Sequence, residues 1–175
     1  MDCTTHMGDL TSEVVTASHM NTHVRDNLLE TAPGKAGLGF VLGTASNTIA
    51  VRQPGYARIN TSETTASTSY GNLATTGPSV TTTTNTAAII IVGAAARNNT
   101  ADEDCFMGVD VSGATTLSPS NVTCYIVRNE TRIQATYAWV ESGLTAGSNT
   151  FKAEYRVSGG TGTWSSRGLT VIPSN

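Results

Sequence analysis

Hydrophobic and polar positions divide this chain into two regimes that meet near residue 33. Within residues 11–30, Met20, Val24 and Leu28 recur four apart with Ala17 beside them, which predicts a helix carrying one narrow apolar stripe. Thr16 suits the N-cap, because its hydroxyl accepts a free amide of the first turn; Thr11 and Ser12 are the alternative starts. Pro33-Gly34 ends the helix, since Pro cannot continue it and Gly suits the reversed cap. A helix of about 15 residues is marginal alone in water, so its stripe must pack against the rest of the chain or against a partner.

Beyond it, residues 33–56 are small and Gly-rich. They predict two short β segments, Leu38–Leu42 and Thr48–Arg52, around a turn at Thr44–Asn47 in an extended connector. From Tyr56 onward every signal is β. Pro78–Thr84 is almost continuous Thr, whose branched side chain fits a pleated surface. Ala87–Ala96 is the most apolar run, and its length and Ile/Val content predict a strand buried on both faces; Gly93 and the β-branched cluster argue against a helix there. Cys105–Val111, Asn121–Val127, Arg132–Val140, Thr150–Val157 and Thr163–Ile172 follow as strands, separated by Gly, Ser, Asn and Pro turns. Ile133, Ala135, Tyr137 and Trp139 share one face of their strand, and Phe151, Ala153, Tyr155 and Val157 share one face of theirs. Strands at this spacing with no helices between them predict a mainly β protein, a β-sandwich or jelly-roll-like C-terminal domain behind a short N-terminal helical arm. The expected division is 1–32 (arm with docking helix), 33–56 (connector) and 57–175 (Thr-rich β-sandwich).

Composition narrows the function classes. Of 175 residues only 13% are charged, about half the usual roughly 25%, and 30 Thr and 17 Gly take their place. A coiled coil needs far more Glu, Lys and Leu. A net charge of −3, a pI near 5.5 and ten Lys plus Arg argue against an electrostatic nucleic-acid binder. No apolar run approaches the roughly 18 residues of a transmembrane helix, so no membrane insertion is expected. The first residues, Met1 to His6, lack the basic and apolar regions of a Sec signal, which leads to the expectation of synthesis in a cytoplasm with thiols initially reduced.

Candidate chemistry is sparse. Cys3, Cys105 and Cys124 form no C-x-x-C pair; Cys105 and Cys124 lie in neighbouring β segments and are a possible disulfide, with Cys3 then free or linked between chains, while three buried or idle thiols are the favoured reading. His19 and His23 are four apart, but Met20 stands where a zinc protease has Glu, and two surface or interface histidines are the plainer reading. Asp102, Glu103, Asp104 and Asp110 match no EF-hand spacing and read as a solvated acidic loop. No nucleophile elbow and no P-loop occur, and all three His precede residue 24. No enzyme, cofactor or metal is expected. Trp139 and Trp164, with Tyr137, are candidates for stacking on a glycan, although strand aromatics are more often core.

The run from Glu13 to Leu29, EVVTASHMNTHVRDNLL, resembles the N-terminal signature V-T-A-x-x-(L/M)-N-T-x-(I/V)-R-D-N-L of small structural proteins of tailed bacteriophages, including minor tail, fibre-like and decoration proteins. Pro33-Gly34-Lys35 and Gly39–Gly43 resemble the connector that follows it, and Gly108–Gly113 and Leu144–Phe151 resemble phrases of phage β modules. The resemblance implies a virion component made in a host bacterial cytoplasm. It also implies that a docking helix carrying Val15, Met20, Asn21, Val24, Arg25, Asp26, Asn27 and Leu28 contacts other virion structural proteins. By analogy with other phage β modules it implies a homotrimer. The alternative is a receptor- or glycan-binding module at a tail or fibre tip, with a host surface glycan as partner.

Overall fold

The computed structural model describes Phe40–Leu42, Ile49–Val51 and residues 53–174. The expected docking helix, Cys3 and all three histidines lie outside the described residues. Two compact units divide at Val51 and Arg52. In the first, β1 (Phe40–Leu42) and β2 (Ile49–Val51) form an antiparallel hairpin, with Phe40 opposite Val51 and Leu42 opposite Ile49.

The second unit is built from β3 (Gly55–Ile59), β4 (Glu63–Thr65), β5 (Ser79–Thr84), β6 (Ala87–Asn98), β7 (Cys105–Gly113), β8 (Tyr125–Val127), β9 (Ile133–Ser142), β10 (Gly147–Val157) and β11 (Gly162–Pro173). It includes Tyr56, so the β domain begins before position 57. All its strand pairs are antiparallel. The pairing is nested: β3 with β11, β5 with β10, β6 with β9 and β7 with β8, as in one long ribbon folded back on itself. Wrapping that ribbon gives two sheets, β3-β11-β6-β9 and β5-β10-β7-β8, which is the strand order of a jelly roll. The short β4 extends the first sheet by pairing with the start of β11.

The core lies between the sheets. Ile90, Val92, Ala94 and Ala96 of β6 with Leu169 and Val171 of β11 belong to one buried cluster with Val109 and Val111 of β7 and Phe151, Ala153, Tyr155 and Val157 of β10. Each fully buried Val, Ile, Leu or Phe among them contributes about 1.5–3 kcal/mol, and each Ala less. The inward positions of β10 are those the alternation picked out. In β6 the expectation of burial on both faces fails. Ala88, Ile90 and Val92 point inward, whereas Ile89 is 41% exposed and Ile91 is only partly covered. Toward the outer face Ile89 and Ile91 are left partly open, while Ala95, opposite Ser165, is covered, so much of the apolar run lines a surface.

Thr takes over from hydrophobes between strands. Thr81 and Thr150, opposite one another on β5 and β10, share a hydroxyl hydrogen bond at 2.8 Å. Asn149 is fully buried; its Nδ2 donates to Thr84 Oγ1 at 2.7 Å and Thr145 O at 3.0 Å, and its Oδ1 accepts the Thr115 amide at 2.7 Å. One amide therefore ties β5, β10 and two loops together.

Candidate functional site

The outer face of β3-β11-β6-β9 carries an open groove of about 610 Å³. Register alone sets its centre. One rung across the four strands reads Arg58, Gly168, Gly93, Thr136, and the neighbouring outward rung reads Tyr56, Thr170, Ile91, Ala138. The residues between them, Leu169 and Val92, point into the core. Side by side, Gly168 and Gly93 leave the floor without side chains, and Arg58 and Thr136 stand at its two edges. Gln134 and Ser166 line one end, and Tyr56, 63% exposed, forms the wall on the β3 side.

The two glycines have different reasons to be glycine. A Cβ on Gly93 would collide with Thr136 Cγ2, so close strand approach excludes one there. A Cβ on Gly168 would meet only Gly93 O at 3.9 Å and Tyr56 Cε2 at 4.0 Å, ordinary contacts, and its φ is not in the left-handed region. The fold would accept alanine at Gly168; what glycine adds there is depth.

The groove borders a β-bulge. Pairing of β11 with β6 shifts between Ser165 and Gly168, and Ser166 has φ 51°. In a regular strand Trp164 and Arg167 would face opposite sides; the extra residue turns both inward. Arg167 is fully buried, with Nη2 3.2 Å from Glu63 Oε2 and 2.9 Å from Thr61 Oγ1. The Thr75 hydroxyl, then its backbone amide and Arg167, hold the Glu63 carboxyl below its ordinary range against the opposing effect of burial. Tyr155 packs on both inward side chains, its ring 5.4 Å from the Arg167 guanidinium and 5.5 Å edge-on from Trp164.

The aromatic glycan candidates do not line this groove. Trp164 is completely buried, so stacking on a ligand is excluded by its place in the core. Trp139 is partly buried on the core side of β9. Its Nε1 donates to Glu141 Oε2 at 3.2 Å, and its ring stacks on Tyr137 at 5.6 Å. Cys105 and Cys124 are free buried thiols and do not pair with each other. Their Sγ atoms donate instead to Arg97 O at 3.2 Å and Asn121 O at 3.3 Å, and burial pushes the Cys105 thiol up to about 11.

The acidic residues disperse rather than converge. Asp104 takes a bidentate Arg128 at 2.7 and 2.9 Å, Glu103 accepts from Ser158 Oγ at 2.5 Å, and Asp110 lies 3.9 Å from Lys152. Among the described residues no group of three or more His, Cys, Asp or Glu is placed to hold a metal ion, and no helix is long and apolar enough to cross a membrane.

Sequence reasoning missed the groove residues Tyr56, Arg58, Gly93, Gly168 and Thr170. The usable signal was Gly93, an isolated glycine inside a strand, which marks close backbone approach.

No protein-family model and no curated protein matches the chain. Among solved structures it is similar to the VP2 subviral particle of infectious bursal disease virus, at 11% identity and a TM-score of 0.48 over 77% of this chain and 37% of that one. It is also similar to the T13 particle of the same virus, at 13% identity and 0.47 over 77% and 35%. The Gx strain of that virus gives 13% and 0.44 over 77% and 38%. The chain thus spans little more than a third of those chains' length. At these identities and TM-scores the likeness carries no functional argument, and function is read from this chain's own residues.

Proposed function

We propose that this chain is a structural component of a tailed-phage virion, joined to the particle by its N-terminal arm and displaying the jelly roll as a decoration, fibre or minor tail protein. The observation that carries this reading is β9. It is the longest edge strand of the sandwich, ten residues from Ile133 to Ser142, and no strand pairs with its outer edge among the described residues. It contains no Lys and no Pro, and its register with β6 runs without a bulge, so of the usual guards of a free edge only one charge, Glu141 near its end, is present. The opposing sheet ends in the three-residue β8 and leaves β9 uncovered, with Ile133 at 39%, Tyr137 at 38% and Val140 at 65% exposure. A solitary protein gains nothing from such an edge; a subunit of a permanent assembly buries it.

The phage signature over Glu13–Leu29 supports the same reading. In it the chain acts as a building block and not as a catalyst, its partners are other virion proteins and further copies of itself, and its site of action is the particle. Cryo-electron microscopy of particles, with and without deletion of residues 1–32, tests it. The expected result is an ordered jelly roll with β9 buried against a neighbouring subunit, and loss of the protein from particles on deletion. Purified particles that lack the chain, or normal incorporation of the truncated form, would overturn the anchoring model.

A further inference from the structure

We infer that the outer groove of β3-β11-β6-β9 binds an acidic saccharide, a sugar bearing a carboxylate. The inference does not rest on the virion reading: it is argued from the outward face of the sheet, centred on β3, β11 and β6, and meets β9 only at its Gln134–Thr136 border.

Charge, shape and chemistry point the same way. Arg58 is the only cation lining the groove, no carboxylate lines it, and Arg58 has no ion-pair partner among the described residues. An exposed guanidinium in a groove without acids matches a planar anion, and its fork fits a carboxylate through two parallel hydrogen bonds. Tyr56 beside it offers the face of an exposed ring, on which the C–H face of a sugar can lie. Thr136 and Thr170 line the same space, with the Cγ2 methyl of Thr136 nearest the Gly93 floor, and a small polar side chain on each side leaves room for a sugar ring. From β3 to β9 the floor crosses three strand spacings, about 14 Å, room for one or two sugar rings. Gly168 supplies the decisive detail: the backbone does not demand glycine there, and any side chain would fill the space between Arg58 and Thr136.

The test uses the full chain. It is screened on an array carrying sialic-acid- and uronic-acid-terminated oligosaccharides beside neutral ones. Saturation-transfer NMR follows with N-acetylneuraminic acid, glucuronic acid, glucose and inorganic phosphate. The expected result is binding of at least one acidic sugar, with glucose and phosphate at least tenfold weaker. Arg58→Gln should lower that affinity tenfold or more, and Gly168→Val should abolish it, while thermal unfolding of both variants stays close to the parent. If Gly168→Val unfolds the domain, Tyr56→Ala, at a largely exposed position, serves as the second groove variant and should also lower affinity. Failure of every acidic sugar to bind, equal binding of glucose or phosphate, or affinity unchanged in Arg58→Gln would overturn the inference. Incorporation of Arg58→Gln into particles is expected to be normal, so failure here leaves the virion proposal standing.

Discussion

Arg167 and Glu63 form an ion pair at 3.2 Å whose cationic partner is completely buried. The guanidinium reaches that position only because the bulge at Ser165–Gly168 turns it inward, and the short β4 brings Glu63 to meet it. Removing the Glu63 charge leaves the buried guanidinium without compensation, and removing Arg167 leaves a cavity beside a carboxylate that keeps only its hydroxyl and amide partners. Glu63→Gln or Arg167→Ala is expected to cost about 3–5 kcal/mol in urea unfolding. The double variant Glu63→Leu/Arg167→Met should recover most of that loss, because an apolar pair of similar volume needs no desolvation. A double variant as unstable as the singles would show that the pair itself is not what the bulge protects.

Glu63 and Asp104 set acid sensitivity. Glu63 is held below its ordinary value of 4.5, first by the Thr75 hydroxyl, and Asp104 is held below 3.8, first by Arg128. A carboxyl whose folded pKa is depressed contributes stability above its unfolded pKa and loses it as pH falls through the folded one. Melting temperature is therefore expected to be flat with respect to these groups above about pH 5 and to fall below about pH 4.5. Glu63→Gln, though less stable, should show a shallower fall across that window. An unchanged acid slope would remove Glu63 from the account.

Asn149 offers a test of the polar interior. Its amide is shared among Thr84, Thr145 and the Thr115 backbone, all at 3.0 Å or less. Asn149→Ala strands the buried Thr115 amide and the Thr84 hydroxyl, and should destabilise by about 1–3 kcal/mol for each group left unpaired. Thr84→Val keeps the shape and leaves Asn149 its other partners, so about 1 kcal/mol is expected. Denaturant titration of the two variants decides between a shared network and an incidental contact.

Surface charge on β9 should separate assembly from folding. Val140 is 65% exposed, so Val140→Lys is expected to move folding stability by no more than about 0.5 kcal/mol. It should nevertheless reduce self-association or particle incorporation, since a Lys on a free edge opposes further pairing. Sedimentation of the purified chain and quantification in particles provide the readouts. Full incorporation of Val140→Lys would place the subunit contact elsewhere.

The buried thiols should be inert. With Cys105 raised to about 11 and both groups enclosed, neither Cys105 nor Cys124 is expected to react with a thiol reagent at pH 8 until the domain unfolds. Mass spectrometry of native and urea-unfolded protein after labelling gives the answer. Rapid native labelling of Cys105 would contradict its burial.

Strand positions were legible in the chain because alternation is local. Phe151, Ala153, Tyr155 and Val157 announce the inward face of β10, and the Thr run announces β5, through preferences that act between neighbouring residues. The hydrophobic run of β6 also announced a strand, but not that Ile89 and Ile91 would face outward. An apolar side chain states a preference for burial, and only the sheets' arrangement decides whether cover exists. Trp164 and Trp139 read alike in sequence, yet one lies at the centre of the core and the other on an edge strand.

By itself the sequence determined a low-charge, Thr-rich, mainly β protein with little titratable chemistry. Only the tertiary structure decided which strands stand at the edges, that a bulge turns Arg167 into the core, and that Arg58, Gly168, Gly93 and Thr136 share one rung. Those four residues come from four strands spread over most of the β domain. Their meeting depends on long-range register, which local propensity does not encode and which the packing of the two sheets sets.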